Sequence, residues 1–100
     1  MKLQILEEAE EELDKAIAYH EEIESGLGLR LKEEARGLIH WISHNPELSR
    51  LRAKGYRRVN LKVFPYYAAY LIWDDTIWIL AIGHSKRRPE YWIGRKSKIT

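Results

Sequence analysis

The stretch Thr76–Trp92, TIWILAIGHSKRRPEYW, decides the reading of this chain. Its first half, Thr76–Ile82, is apolar and rich in β-branched and aromatic residues, the composition of a strand buried on both faces. Gly83 interrupts it, and His84, Lys86, Arg87 and Arg88 follow within five positions. Pro89 stops regular structure, and Tyr91 and Trp92 set two large rings beside the cations. A rigid central strand that empties into a cationic, aromatic rim holds functional groups in fixed positions at the end of a sheet.

Working outward, Tyr67–Trp73 is the preceding strand and Asp74-Asp75 a two-residue connection, so the two arms make a β-hairpin. Upstream, from Tyr56, the period is two: Val59, Leu61 and Val63 point one way, and Arg58, Asn60 and Lys62 the other. Phe64-Pro65-Tyr66 is a turn or bulge, because Pro65 has no amide to give a ladder. Glu47–Gly55 is polar, basic and aperiodic, a loop. Glu90–Lys98 reads as a short, basic, frayed tail that leaves one sheet face partly open.

The first half of the chain has helical period. Ala9, Leu13, Ala16, Ile17, His20 and Ile23 make one apolar stripe, predicting a helix over Glu7–Glu24. Its acids Glu7, Glu8, Glu10, Glu11 and Glu12 sit where a helix dipole favours negative charge and read as a solvated face. Gly26 suits a left-handed residue after that helix. A second helix follows over Leu27–His44, with Leu31, Ala35, Leu38, Ile39 and Ile42 buried and Asn45-Pro46 closing it. Lys2–Leu6 is a short edge strand. The order β-α-α-β-β-β predicts a single α+β domain over residues 1–100, an N-terminal edge strand and helical hairpin packed on a twisted antiparallel sheet.

Charge divides the chain. Residues 1–49 carry 5 Lys/Arg against 12 Asp/Glu, and residues 50–100 carry 12 against 3. A basic half points to an anionic partner, nucleic acid or an acidic protein segment. The expected contacts for such a target or its phosphates are Arg57, Arg58, Lys62, Lys86, Arg87, Arg88, Tyr91 and Trp92. Lys86-Arg87-Arg88 carries this best, since three adjacent cations repel one another until an anion arrives.

Several chemistries fail on spacing. His40 and His44 stand at i, i+4, but the segment His-Trp-Ile-Ser-His offers neither a third ligand nor a glutamate base, so no metal is expected. Ser85 lacks the glycine-flanked elbow of a hydrolase nucleophile, and no glycine-rich phosphate loop is present. No cofactor is implied. The chain has no cysteine, no run approaching the ~18 apolar residues of a membrane span, and acids directly after Leu6 in place of a signal-peptide core, so a cytoplasmic protein is expected.

In order and spacing, these segments resemble the RelE/ParE superfamily of type II toxin–antitoxin toxins, and more closely its ParE-like, plasmid-stabilisation branch. The residues that carry the resemblance are Gly26-Leu27-Gly28, Asn45-Pro46, Tyr56-Arg57-Arg58, Phe64-Pro65-Tyr66, Asp74-Asp75-Thr76-Ile77 and Ala81–Trp92. The resemblance implies a microRNase-like fold, bacterial growth arrest, and a cognate antitoxin that wraps over the toxin. It implies one of two targets: DNA gyrase, as for ParE-like members, or mRNA in the ribosomal A site, as for RelE-like nucleases. A nuclease of that kind would use His84, Arg87 and Tyr91, with His84 as acid or base. Two departures favour the gyrase poison. RelE-like nucleases place an arginine early in the strand after the mid-sheet turn, where this chain has Tyr67 in Tyr66-Tyr67-Ala68-Ala69-Tyr70. Their lysine-rich run before the sheet is reduced here to Lys54. A homodimer, or strand pairing with antitoxin along the exposed first strand, is a further expectation.

Overall fold

Alternation along the strands sorts the side chains into two layers, and the computed structural model, which describes residues 1–100, places each layer. The elements are β1 (Lys2–Ile5), α1 (Glu7–Ile23), α2 (Leu27–His44), β2 (Arg57–Asn60), β3 (Tyr66–Trp73), β4 (Thr76–His84) and a 3₁₀ segment, Ile93–Lys98. The sheet order is β1-β4-β3-β2. The expected antiparallel meander forms β2, β3 and β4, and β1 joins in parallel beside β4, Leu3 opposite Ile77. Central β4 is accordingly apolar from Ile77 to Ile82, as expected of a strand flanked on both sides and covered on both faces.

The β3–β4 connection is Asp74-Asp75, both with positive φ (51° and 56°), the backbone that matches the twist of a two-residue hairpin. Further along, β4 carries one residue too many. Ala69 pairs with Ala81 and Tyr70 with Ile79, so Leu80 has no partner. Ile77, Ile79 and Ile82 pack towards the helices, whereas Leu80 and Ala81 both face the other way. This bulge re-aims the last third of β4, the part that leads to His84.

The helical hairpin covers one face. Ala9, Ile42, Ala68, Tyr70, Ile77 and Ile79 form its core, with Leu13 and Leu38 packed against it. Gly26 adopts φ 91° between the helices, as its position predicts, and its amide and that of Gly28 donate to Glu21 at 2.8 and 3.0 Å. Gly28 lets the helices close: a Cβ there would lie 2.5 Å from the Ile17 carbonyl oxygen. Ile23, assigned above to the buried stripe, is instead 60% exposed at the hairpin tip.

Two other expectations change. β2 ends at Asn60, short of Lys62 and Val63, because the Glu34 carboxylate of α2 accepts from the amides of Lys62, Val63 and Phe64 at 3.0, 3.1 and 3.4 Å, in place of a strand partner. Val63 is exposed, while Leu61 and Phe64 turn in against Leu31. The C-terminal segment is no frayed tail. It lies across the second face of the sheet, where Trp92, 2% exposed, packs with Tyr56, Tyr67 and Leu71. No helix is long and apolar enough to cross a membrane.

Candidate functional site: a basic rim clamped to the first helix

After His84 the chain turns tightly. The Ser85 amide donates to the Pro65 carbonyl at 2.8 Å, the Lys86 amide to His84 Nδ1 at 3.0 Å, and the Arg87 amide to the His84 carbonyl at 3.0 Å. Nδ1 is thereby taken as an acceptor, Nε2 has no hydrogen-bond partner, and the ring makes a T-shaped contact with Tyr66 at 5.0 Å between centres. Lys86 and Arg88 are exposed and form no ion pair.

The chain then folds back towards α1, where one carboxylate gathers its side chains. Glu12 Oε1 accepts from the Ile82 amide at 3.1 Å and Arg95 Nη1 at 3.0 Å. Glu12 Oε2 accepts from Arg95 Nη2 at 3.0 Å and from the Tyr91 hydroxyl, with Arg87 Nη1 at 3.8 Å. Arg95 also donates to the Leu80 carbonyl at 2.9 Å. The last backbone bond between β1 and β4 is Leu6 amide to Ile79 carbonyl. Beyond it, the Glu12–Arg95 pair supplies the partners that a further strand residue would have supplied at Leu80 and Ile82.

The electrostatics follow from these contacts. Burial pushes the Tyr91 phenol up from its ordinary value, and the hydrogen bond to Glu12 and that residue's charge add to the rise, against Arg87. Arg87 lies flat over the Tyr91 ring, 3.7 Å from its centre. Burial works against the Arg95 charge, and Glu12 outweighs it. His84, Arg87 and Tyr91 therefore do come together, on one cleft of about 250 Å³ whose far wall is Lys15 and Tyr19 of α1.

The other expected contacts separate. Arg57 and Arg58 point to opposite faces. Arg57 donates to the carbonyls of Glu47 and Ser49, so it pins the loop before the sheet and is not part of the rim. Arg58 lies 3.7 Å above the Tyr67 ring, on the face that carries Trp92. Trp92 is a correction: its indole donates to the Tyr67 hydroxyl at 2.8 Å inside the core, so it supports the rim from beneath and offers no surface to a target. Lys62 lines a separate groove, about 480 Å³, between α2 and β2 with Leu38, Trp41 and Val59. His40 and His44 stack at 4.4 Å on the exposed side of α2.

Behind Trp92, the Tyr56 hydroxyl donates to Glu90 at 2.7 Å and Lys54 Nζ to the same carboxylate at 2.8 Å. Burial raises the Tyr56 phenol, and the bonds from Lys54 and Tyr56 hold Glu90 below the usual carboxylate range.

Glu12 and Arg95 escape the sequence reading, but Glu12 carries a signal. Positions 9, 12, 13 and 16 follow the i, i+3, i+4, i+7 spacing of the buried stripe, so Glu12 is an acid inside an apolar face and not one of a solvated run. Arg95 carries none, because its position depends on how the tail folds back.

The fold has solved relatives. A chain described as "Chromosomal ParDE TA system from P. aeruginosa" superposes with a TM-score of 0.66 over 86% of this chain and 97% of its own, at 17% identity. Residues 3–89 match the family model described as "ParE toxin of type II toxin-antitoxin system, parDE". The chain belongs to the ParE toxin family. Among curated proteins, none matches it significantly. The matched ParE residues include His84, Lys86, Arg87 and Arg88 and stop before Tyr91 and Arg95, so the clamp joins the matched region to residues beyond it.

Proposed function

We propose that this ParE family member is the toxin of a type II toxin–antitoxin module, and that it arrests growth by binding DNA gyrase through the rim formed by Lys86, Arg87 and Arg88, with no chemistry of its own. The observation that carries this reading is the state of Tyr91. Its hydroxyl is committed as a donor to Glu12, and its raised pKa makes it a poor base near neutrality. A cation-rich surface with two unpaired members is suited to an acidic protein or nucleic-acid surface. A cognate antitoxin would neutralise the toxin by covering it. The apolar groove beside Trp41 adjoins β2, an outer strand of the sheet, and suits a segment that adds backbone bonds and apolar anchors together. Self-association would use the same kind of edge at β1 or β2.

The second reading, a ribosome-dependent endoribonuclease, is favoured by the shared cleft of His84, Arg87 and Tyr91 and by a His84 Nε2 that has no hydrogen-bond partner. The variant His84→Ala, expressed without antitoxin, separates the two. Undiminished growth arrest supports the binding toxin. Loss of arrest from a folded His84→Ala variant supports the nuclease.

A further inference from the structure

Two side chains of the rim, Arg87 and Tyr91, are gathered by a single carboxylate from the other end of the sequence. Arg87 and Tyr91 belong to an irregular segment between β4 and the 3₁₀ turn, and Glu90 within it adopts φ 59°, a conformation non-glycine residues rarely hold. Nothing regular fixes the direction of either side chain. What does fix them is Glu12, which takes the Tyr91 hydroxyl on Oε2, holds Arg87 at 3.8 Å, and ties down the next turn through both prongs of Arg95. Glu12 in turn is held by the Ile82 amide, on a strand of the core.

We propose that Glu12 is the positioning residue of this toxin's target-binding rim: its carboxylate, anchored to β4, sets the direction of Arg87 and Tyr91 before a partner arrives. The inference rests on the reading of the rim as the contact surface. It goes beyond that reading by assigning the order of the rim to an acid that touches no target. The donor count shows why a carboxylate is needed. Four hydrogen bonds and one further cation converge on two oxygens, about as many as a carboxylate's lone pairs accept. An amide of the same shape supplies one oxygen, and its NH₂ would face donors, so at least two partners would be released. A rim ordered in advance loses less conformational freedom on binding.

The test is Glu12→Gln beside Glu11→Gln, a neighbouring exposed acid that forms no ion pair. Three readouts are taken: side-chain NMR of Arg87 and Tyr91, the concentration that half-inhibits gyrase supercoiling, and growth arrest. In Glu12→Gln the Arg87 and Tyr91 signals should shift and show averaging, and the half-inhibitory concentration should rise about tenfold, the scale expected when two side chains must be ordered on binding. Glu11→Gln should match wild type in all three. Unmoved Arg87 and Tyr91 signals, or full potency in a folded Glu12→Gln protein, would overturn the proposal. If wild type arrests growth but spares gyrase, the gyrase reading fails, and positioning is judged by the NMR signals and arrest potency alone. Should Glu12→Gln not fold, wild type still decides: a Tyr91 hydroxyl proton held by Glu12 is protected from solvent exchange and observable, and its absence overturns the clamp.

Discussion

Arg95 and Glu12, 83 residues apart, meet in a two-pronged ion pair with both N–O distances at 3.0 Å, each side chain less than one-fifth exposed. This fork-to-fork geometry is the strong form of the interaction, and Arg95 adds a bond to the Leu80 carbonyl with the same Nη1. The pair joins the first helix, the bulged edge of β4 and the C-terminal turn.

Removing one partner should therefore cost more than a surface salt bridge. Arg95→Ala leaves Glu12 short of two donors and the Leu80 carbonyl without its partner. A loss of about 2–3 kcal/mol is expected, below the 3–5 of a fully buried pair because both groups retain some solvent. Urea denaturation followed by tryptophan fluorescence measures it. A change under about 0.5 kcal/mol would mean the tail is held by Trp92 and its other contacts without help from Arg95.

Stability should fall at both ends of the pH range. The Tyr91 phenol is raised in the folded protein above its ordinary value of 10.0, so its contribution is fully present below pH 10 and is lost as pH climbs towards the folded value. Glu90 is lowered from 4.5, so its contribution is present above that value and is lost as pH falls. Unfolding curves across pH should show Tyr91→Phe flattening the alkaline limb and leaving the acid limb alone, with Glu90→Gln flattening the acid limb and, because Glu90 also raises the Tyr56 phenol, part of the alkaline one.

Gly83 should tolerate no side chain. A Cβ there would lie 2.7 Å from the Tyr67 ring, whose hydroxyl accepts from Trp92 and whose face carries Arg58. Gly83→Ala forces this stack to move, at a cost of about 1–3 kcal/mol. Thermal melts give the loss, and a shifted Trp92 emission locates it.

How legible each part of the molecule is in its residues depends on the range of the signal. The helices, the β3–β4 hairpin and the exit of β4 into the cations rest on local period and turn chemistry, so α2 and β4 begin and end where the spacing of Leu31, Ile42, Thr76 and His84 predicts. The end of β2 is not local. It is decided by Glu34, a residue of α2, taking three amides that alternation alone would hand to a strand. The site divides in the same way. His84, Arg87 and Tyr91 are close in sequence and meet in one cleft, whereas Arg57 and Trp92 are drawn inward by partners that only the tertiary fold supplies.

The two unpaired cations give the surface its most specific test. Lys86→Ala with Arg88→Ala breaks no ion pair in the structure, so stability should stay within about 0.5 kcal/mol of wild type. Gyrase inhibition should weaken, and the remaining inhibition should depend less on salt, because fewer charges are screened. Equal potency and equal salt dependence would remove these residues from the contact.

The central claim is tested most directly by adding purified, antitoxin-free protein to DNA gyrase and relaxed plasmid and following supercoiling. The account predicts dose-dependent inhibition with accumulation of cleaved DNA, unchanged in the His84→Ala variant. A folded, growth-arresting protein that leaves supercoiling untouched, and instead cuts mRNA on ribosomes in a His84-dependent way, would contradict it.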